Sequence, residues 1–275
     1  MTESSPIFHR ALLFARAVAV PAVWLVIFVA IFVPLEHFFS LHPAKIWRKQ
    51  VGVDLCWYFI NSLVPAAVIV FPLAALSHFL RGVEPGYYSA VAAWPLWLRS
   101  LGVLVVNDFG AYWGHRALHT WPVLWQFHAI HHSAEEMNWL VTTRAHPFDI
   151  VFTRMTGLVP VYLLGLAQAT GARIDPLVVV VMVIGITWTY FIHANVRFRL
   201  GPLEWLVSSP AFHHWHHTND EHRDRNFASI LPIYDWLFGT AWLPKHWPPM
   251  YGIDAKVPPT LTGQFLDPLG KPPAK

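Results

Sequence analysis

Charge is what this sequence has least of. Only 13% of its 275 residues are Asp, Glu, Lys or Arg, half the ~25% of an ordinary globular protein. With 55% hydrophobic residues and a mean hydropathy of +0.40, this excludes a disordered chain or a coiled coil. It also argues against a fully soluble fold. Cysteine is nearly missing: Cys56 stands alone in an apolar stretch. A single thiol excludes an internal disulfide, a Cys-based iron–sulfur cluster and a Cys-rich zinc site. Cys56 is expected as a packed or lipid-facing residue.

Runs of basic charge are missing too. The 19 Lys and Arg are scattered, with nothing denser than Lys45, Arg48 and Lys49. There is therefore no nucleic-acid footprint. The net charge of +3 and pI of about 9.1 instead suit a surface beside lipid headgroups. No Gly-x-Gly-x-x-Gly occurs, so no NAD or flavin domain is recognisable. His42-Pro43 continues as Ala44-Lys45, unlike the His-Pro-Gly-Gly haem motif of fused cytochrome-b-type domains. Carboxylates are scarce: 16 Asp plus Glu against 17 His.

Apolar runs are what the sequence does have. The stretches 17–35, 55–80, 155–172 and 176–196 are uncharged, and 85–107 is interrupted only by Arg99. A membrane span needs ~20 mostly apolar residues. The expected fold is an all-α integral-membrane bundle of about four to five spans with a cytoplasmic, His-rich helical cap. Pro21, Pro34, Pro65 and Pro72 are expected to kink helices that membranes tolerate. The first run has no small-residue cleavage site, so it is read as a retained helix. Three units are expected: membrane helices over 1–107, a catalytic domain over 108–243 with a membrane hairpin at about 150–194, and a Pro-rich extended tail over 244–275. Lys45, Arg48 and Lys49 place the first loop in the cytoplasm. Both His-rich blocks then fall on that face, although Arg10 and Arg16 lie outside. The hairpin turns at 171–175.

The histidines cluster. His115 and His119 are four apart, His128 is followed by His131 and His132, and 213–217 reads HHWHH. Residues i and i+3 or i+4 share one helix face, so such pairs reach one metal or two neighbouring ones. Imidazole suits Fe, Zn, Cu or Ni. The clusters hold more imidazoles than one ion takes and suit two. His9, His37, His42, His78, His222 and His246 are read as ordinary polar residues. Adjacent histidines on a helix cannot both point at one site, and the His-x2-His-His register makes His214 the bystander.

The surrounding residues resemble the fatty acid hydroxylase/sterol desaturase superfamily of integral-membrane, histidine-box di-iron oxygenases. Six ordered blocks carry the likeness: 108–119 (DFGAYWGHRALH), 125–133 (WQFHAIHHS), 143–147 (TRAHP), 191–195 (FIHAN), 210–217 (PAFHHWHH) and 226–240 (NFASILPIYDWLFGT). The resemblance implies catalytic metal ligands at His115, His119, His128, His131, His132, His213, His216 and His217, with His193 and His146 as further ligands. It implies two iron ions and O2 as co-substrate. A ligating histidine usually donates its other N–H to a carboxylate or carbonyl. Asp108, Glu135, Glu136, Asn138, Asp149, Asn195, Asp220 and Asp224 are the nearby candidates. Arg144 is expected on a lipid headgroup or a loop carboxylate. Trp113, Trp121, Trp125, Trp139, Trp188, Trp205 and Trp215 are expected in an interfacial belt.

The implied reaction is hydroxylation or desaturation of a C–H bond in a lipid drawn from the bilayer, and both outcomes remain open at this stage. Electrons are expected from a separate ferredoxin- or cytochrome-type donor. The rival readings are a metal transporter or sensor, whose ligands belong within spans, and a bis-His haem electron carrier. Metal flux without O2 consumption would mark the first, and a haem Soret band the second.

Overall fold

The computed structural model describes residues 6–43, 46–167 and 176–270. Ten α-helices run through the described residues: α1 Pro6–Phe39, α2 Val51–Val83, α3 Pro85–Ala92, α4 Leu96–Thr120, α5 Pro122–His132, α6 Pro147–Leu163, α7 Pro176–His193, α8 Pro210–His216, α9 Ile233–Leu237 and α10 Leu261–Leu266. Among them the only β pairing is two isolated bridges, Ser40 with Val196 and Thr218 with Tyr251. The chain is an all-α membrane protein.

Among the described residues, two helices are long and apolar enough to cross a bilayer: α1 over Phe14–Phe39 and α2 over Val51–Val83. Their outward faces are apolar, with Val23, Val26, Val70 and Phe71 exposed, as lipid contact requires. Cys56 is exposed on α2. The helices run unbroken through all four expected prolines.

The five apolar stretches do not become five long helices. The third is broken between α3 and α4, which bend by 110° and count as a third span only if taken together. Pro95 is the cause, because it disfavours helical geometry at the residue before it. In the fourth stretch α6 ends at Leu163, and Gly165 takes φ +69°. In α7 the described apolar segment is Val183–His193. The expected turn at 171–175 lies outside the described residues.

What positions the site is packing between these helices. Helices α4 and α6 approach each other closely. A Cβ at Gly110 would collide with the Thr156 carbonyl and sit 2.9 Å from Gly157 Cα; Gly157 in turn faces Asn107. Small residues four apart, here Gly110 and Gly114, let membrane helices approach closely. Gly110→Ala is expected to cost ~1–3 kcal/mol through overpacking and to lower the thermal midpoint in detergent. An unchanged midpoint would contradict the close approach.

An aromatic core of Phe28, Phe32, Tyr58, Trp139 and Tyr190 joins α1, α2 and α7. Glu36, buried near the end of α1, accepts the backbone N–H groups of Trp139 (2.7 Å) and Asn195 (2.9 Å). Asp54 of α2 is fully buried and accepts Nε and Nη2 of Arg144 at 2.6 and 2.9 Å, as well as Arg48. Arg144 is thus held by a helix carboxylate where the sequence left a lipid headgroup or a loop acid.

The Pro-rich segment 244–270 is irregular as far as residue 260, in keeping with an extended tail, and it packs on the rest of the chain. It carries α10, and Trp57 Nε1 donates to the buried Gln264 at 2.7 Å. Arg199 and Trp215 donate to the carbonyls of Pro244 and His246, fastening the segment to α8 and to the chain that precedes it. These bonds offset the ordering cost that composition alone suggests.

Candidate metal centre

Helices α4, α5, α7 and α8 bring nine histidines together in two groups. His115, His119, His128, His132 and His216 form one; His131, His193, His213 and His217 form the other. Within each group one nitrogen per residue lies within 4.8 Å of all the rest, and every member is buried. The groups adjoin: His132 and His217 belong to different groups, yet their ring centroids are 4.5 Å apart.

Helical geometry explains the division. Successive residues point about 100° apart, so each adjacent pair straddles the seam. His128 and His132, one turn apart, serve the first group while His131 turns to the second. On α8 and its C-cap, His213 and His217 serve the second group and His216 the first. Adjacent histidines therefore do not share a site.

The outer nitrogens fix the rings. Nδ1 of His115 bonds the Phe227 carbonyl (2.7 Å), His131 that of Arg144 (3.1 Å), His193 that of Thr189 (2.7 Å) and His216 that of Arg225 (2.8 Å). His128 Nδ1 meets Asp149 (2.7 Å), and His119 Nδ1 meets Asp224 (3.1 Å). A carbonyl only accepts, so Nδ1 carries the proton and Nε2 faces inward as a bare lone pair.

That arrangement leaves acceptors facing acceptors. His131 and His193 both donate from Nδ1 to carbonyls, yet their Nε2 atoms lie 3.2 Å apart. Neither can donate to the other. Burial, followed by the neighbouring His128, pushes His131 down to about 3, so a proton does not bridge the pair. Burial also holds His132, His213, His216 and His217 well below the usual imidazole range. His216 Nε2 and both His217 nitrogens are buried without a hydrogen-bond partner. Two nitrogens bound at right angles to one ion at ~2.1 Å would sit ~3 Å apart. The donor set fits a cation in each group.

Several sequence expectations change here. His146 lies outside both groups. Its Nδ1 accepts the Phe148 N–H (3.1 Å) at the start of α6, and its ring packs on Phe127 and Phe265. Capping a helix occupies the lone pair that a metal would need, so His146 is withdrawn as a ligand. His193 does join the second group. His214 stands aside, with its nitrogens on the Ala194 carbonyl (3.0 Å) and the Tyr251 hydroxyl (2.9 Å). His37, His42, His78, His222 and His246 fall in neither group; the His9 side chain lies outside the described residues.

Of the polar neighbours, only Asp149 and Asp224 touch a ring of either group. Asp108 accepts the Leu231 N–H, Asn138 caps a short turn, Asn195 binds the His42 backbone and Asp220 accepts the His222 N–H. Glu135 and Glu136 are exposed. The sequence reading missed Asp235, which accepts the N–H groups of Phe227 and Ala228 at 2.8 Å and so sets the carbonyl that His115 uses. The tryptophans also divide. Trp113, Trp121 and Trp205 are exposed, whereas Trp125, Trp139 and Trp215 are buried and not part of a belt. Trp125 packs on His119 and His132 at 5.2 and 5.6 Å.

Residues 100–240, which contain every one of these histidines, match the model of the fatty acid hydroxylase family. The chain belongs to that family. Ornithine lipid hydroxylase OlsE of Rhizobium tropici is 34% identical over 243 residues, covering 82% of this chain and 69% of that protein. Alkylglycerol monooxygenase of Xenopus tropicalis is 32% identical over 187 residues, 63% of this chain but only 39% of that protein. Very-long-chain aldehyde decarbonylase GL1-11 of Oryza sativa subsp. japonica is 27% identical over 196 residues, 70% of this chain and 69% of that protein. No solved structure matches the chain. Family membership and the paired histidine groups make this fatty acid hydroxylase relative a membrane-bound, non-haem di-iron oxidoreductase acting on a lipid C–H bond.

The family's metal chemistry gives Asp149 a testable role. Outer-shell carboxylates orient and strengthen imidazole ligands, and their loss costs ~10–100-fold in metal affinity or activity. Asp149→Asn is expected to weaken metal retention by a factor in that range, read by dialysis against a graded chelator. Unchanged retention would show that the His128–Asp149 bond is only a packing contact.

Proposed function

We propose that the enzyme hydroxylates a carbon of an acyl or alkyl chain in a polar membrane lipid, using O2 and two iron ions. In this reading His115, His119, His128, His132 and His216 hold one iron, and His131, His193, His213 and His217 the other. The observation that carries it is the inward set of lone pairs, above all the His131–His193 pair. Iron bound there supplies O2 activation and the oxidant for an unactivated C–H bond.

The protein's own part is positioning and exclusion. The Nδ1 partners lock His115, His119, His128, His131, His193 and His216, burial disfavours protonation of His131, His132, His213, His216 and His217, and Trp125 and Phe227 shield the first group from water. The family's relatives named above include a hydroxylase and a monooxygenase of lipids, which favours oxygen insertion over loss of a second hydrogen. Residues 108–243 act as the catalytic unit. Helices α6 and α7 enter the bilayer as a hairpin beside α1, α2 and the bent pair α3–α4, a bundle of four to five passes. Arg48 and Lys49, between α1 and α2, favour a cytoplasmic site. Electrons come from a separate ferredoxin- or cytochrome-type protein.

Comparing the lipids of a producing strain with those of its deletion mutant tests the reaction. The expected product is a lipid heavier by one oxygen atom. A lipid lighter by two hydrogens would replace hydroxylation with desaturation, and identical lipid profiles would contradict both.

A further inference from the structure

The start of α2 and the C-terminal segment face each other across a cleft of about 590 Å3. Its floor carries paired charge. Arg144, only 4% exposed, shares the carboxylate of Asp54 with Arg48, and the buried Glu36 also faces Arg48. Gln264 adds an unused donor. The indole N–H of Trp57 can only donate, which fixes Gln264 Oε1 toward it. Gln264 Nε2 is then left buried with no partner. A buried, unused donor beside two guanidinium groups suits an acceptor-rich anion. The rim is mixed: Lys49 and Lys256 stand with Glu135, Glu136 and Asp254, all exposed.

The chain on both sides of the lining also exposes apolar side chains. Ile46 and Trp47, 64% and 85% exposed, precede Arg48; Phe265, Leu266 and Leu269 follow Gln264. Exposed tryptophan and aliphatics beside cations at the end of a long apolar helix mark the headgroup level of a bilayer. The floor also connects to the metal centre, because the Arg144 carbonyl accepts from His131 Nδ1.

We propose that this cleft binds the headgroup of a zwitterionic lipid. Its phosphate or carboxylate rests on Arg144 and Gln264 with Lys49, and its ammonium lies among Glu135 and Glu136. This names the substrate class for the reaction proposed above and rests on that reading for the word substrate, whereas the binding itself needs no turnover.

Calorimetric titration of the full-length protein in a neutral detergent tests it. The probes are three lysolipids of equal chain length: lysophosphatidylethanolamine (zwitterionic), lysophosphatidylglycerol (anionic) and a neutral monoacylglycerol, with inorganic phosphate as a fourth. The zwitterionic lipid is expected to bind about tenfold more tightly than the neutral one, and more tightly than the anionic one. Gln264→Glu keeps an acceptor for Trp57 but turns the free donor into a negative acceptor. It is expected to weaken both charged lipids about tenfold without affecting monoacylglycerol. Lys49→Glu, at an exposed position, is expected to act in the same direction, and decides alone if Gln264→Glu does not fold. Equal binding of the neutral lipid, or unchanged affinities in the folded variants, would overturn the proposal. So would inorganic phosphate binding as tightly as the lipids, which would make this a free-anion site. Equal affinity for the two charged lipids would overturn the ammonium assignment. Selective binding without any oxygenated lipid in cells would remove the proposed reaction and leave the cleft standing.

Discussion

His216→Ala and His217→Ala are expected to empty different halves of the centre. The two residues are neighbours in sequence, but His216 belongs to the five-histidine group and His217 to the four-histidine group. Each variant should lose the metal of its own group, reducing two metals per chain toward one. Activity should fall by more than the ~10–100-fold that outer-shell changes cost, because both metals are needed for the two-electron chemistry. Metal analysis of each purified variant, with lipid oxygenation as the second readout, checks this. If both variants lost the same metal, or neither lost any, the division into two groups would be wrong.

Acid is expected to destabilise the fold steeply below about pH 6.5. His131 and His214 are buried and pushed down to about 3, whereas in an unfolded chain they titrate near ~6.5. Between those values the unfolded state takes up protons that the folded state refuses, so the free energy of unfolding falls as pH falls. Each residue contributes a slope of about 1.4 kcal/mol per pH unit. Together they remove about 2.4 kcal/mol between about pH 6 and about pH 5. Thermal midpoints of metal-free protein in detergent across that interval provide the check. A flat profile would mean that the rings are hydrated or protonated in the folded state.

Much of the centre was legible because its spacing is helical. Pairs such as His115 with His119 and His128 with His132 lie one turn apart, and one turn is what brings two rings to one point. His193 was legible as the end of an apolar run together with a family resemblance. The assignment of neighbours to different metals depends on how α5 and α8 are rotated against each other, which spacing alone does not state. His146 was misread although a signal was present: a polar residue followed directly by proline marks a helix start, and there the ring caps α6. Asp149 and Asp224 were among eight neighbouring candidates, but choosing them requires the fold. The carbonyls of Phe227, Arg144, Thr189 and Arg225 have no side-chain signature at all.

The membrane part was readable in kind, and two of its spans were readable one by one. Apolar composition identifies α1 and α2 directly, but composition does not register the 110° bend at Pro95 or the helix end before Gly165. Gly110 and Gly114 carried a readable close-packing signal that the His-rich setting obscured. The buried Asp54–Arg144 pair joins residues 90 apart, and no local pattern announces such a contact.

Metal counting combined with iron X-ray absorption on the purified, iron-loaded protein tests the central claim most directly. The account predicts two irons per chain with imidazole nitrogen dominating the first coordination sphere and no sulfur ligand. A single iron per chain, or a coordination sphere without imidazole scattering, would contradict it.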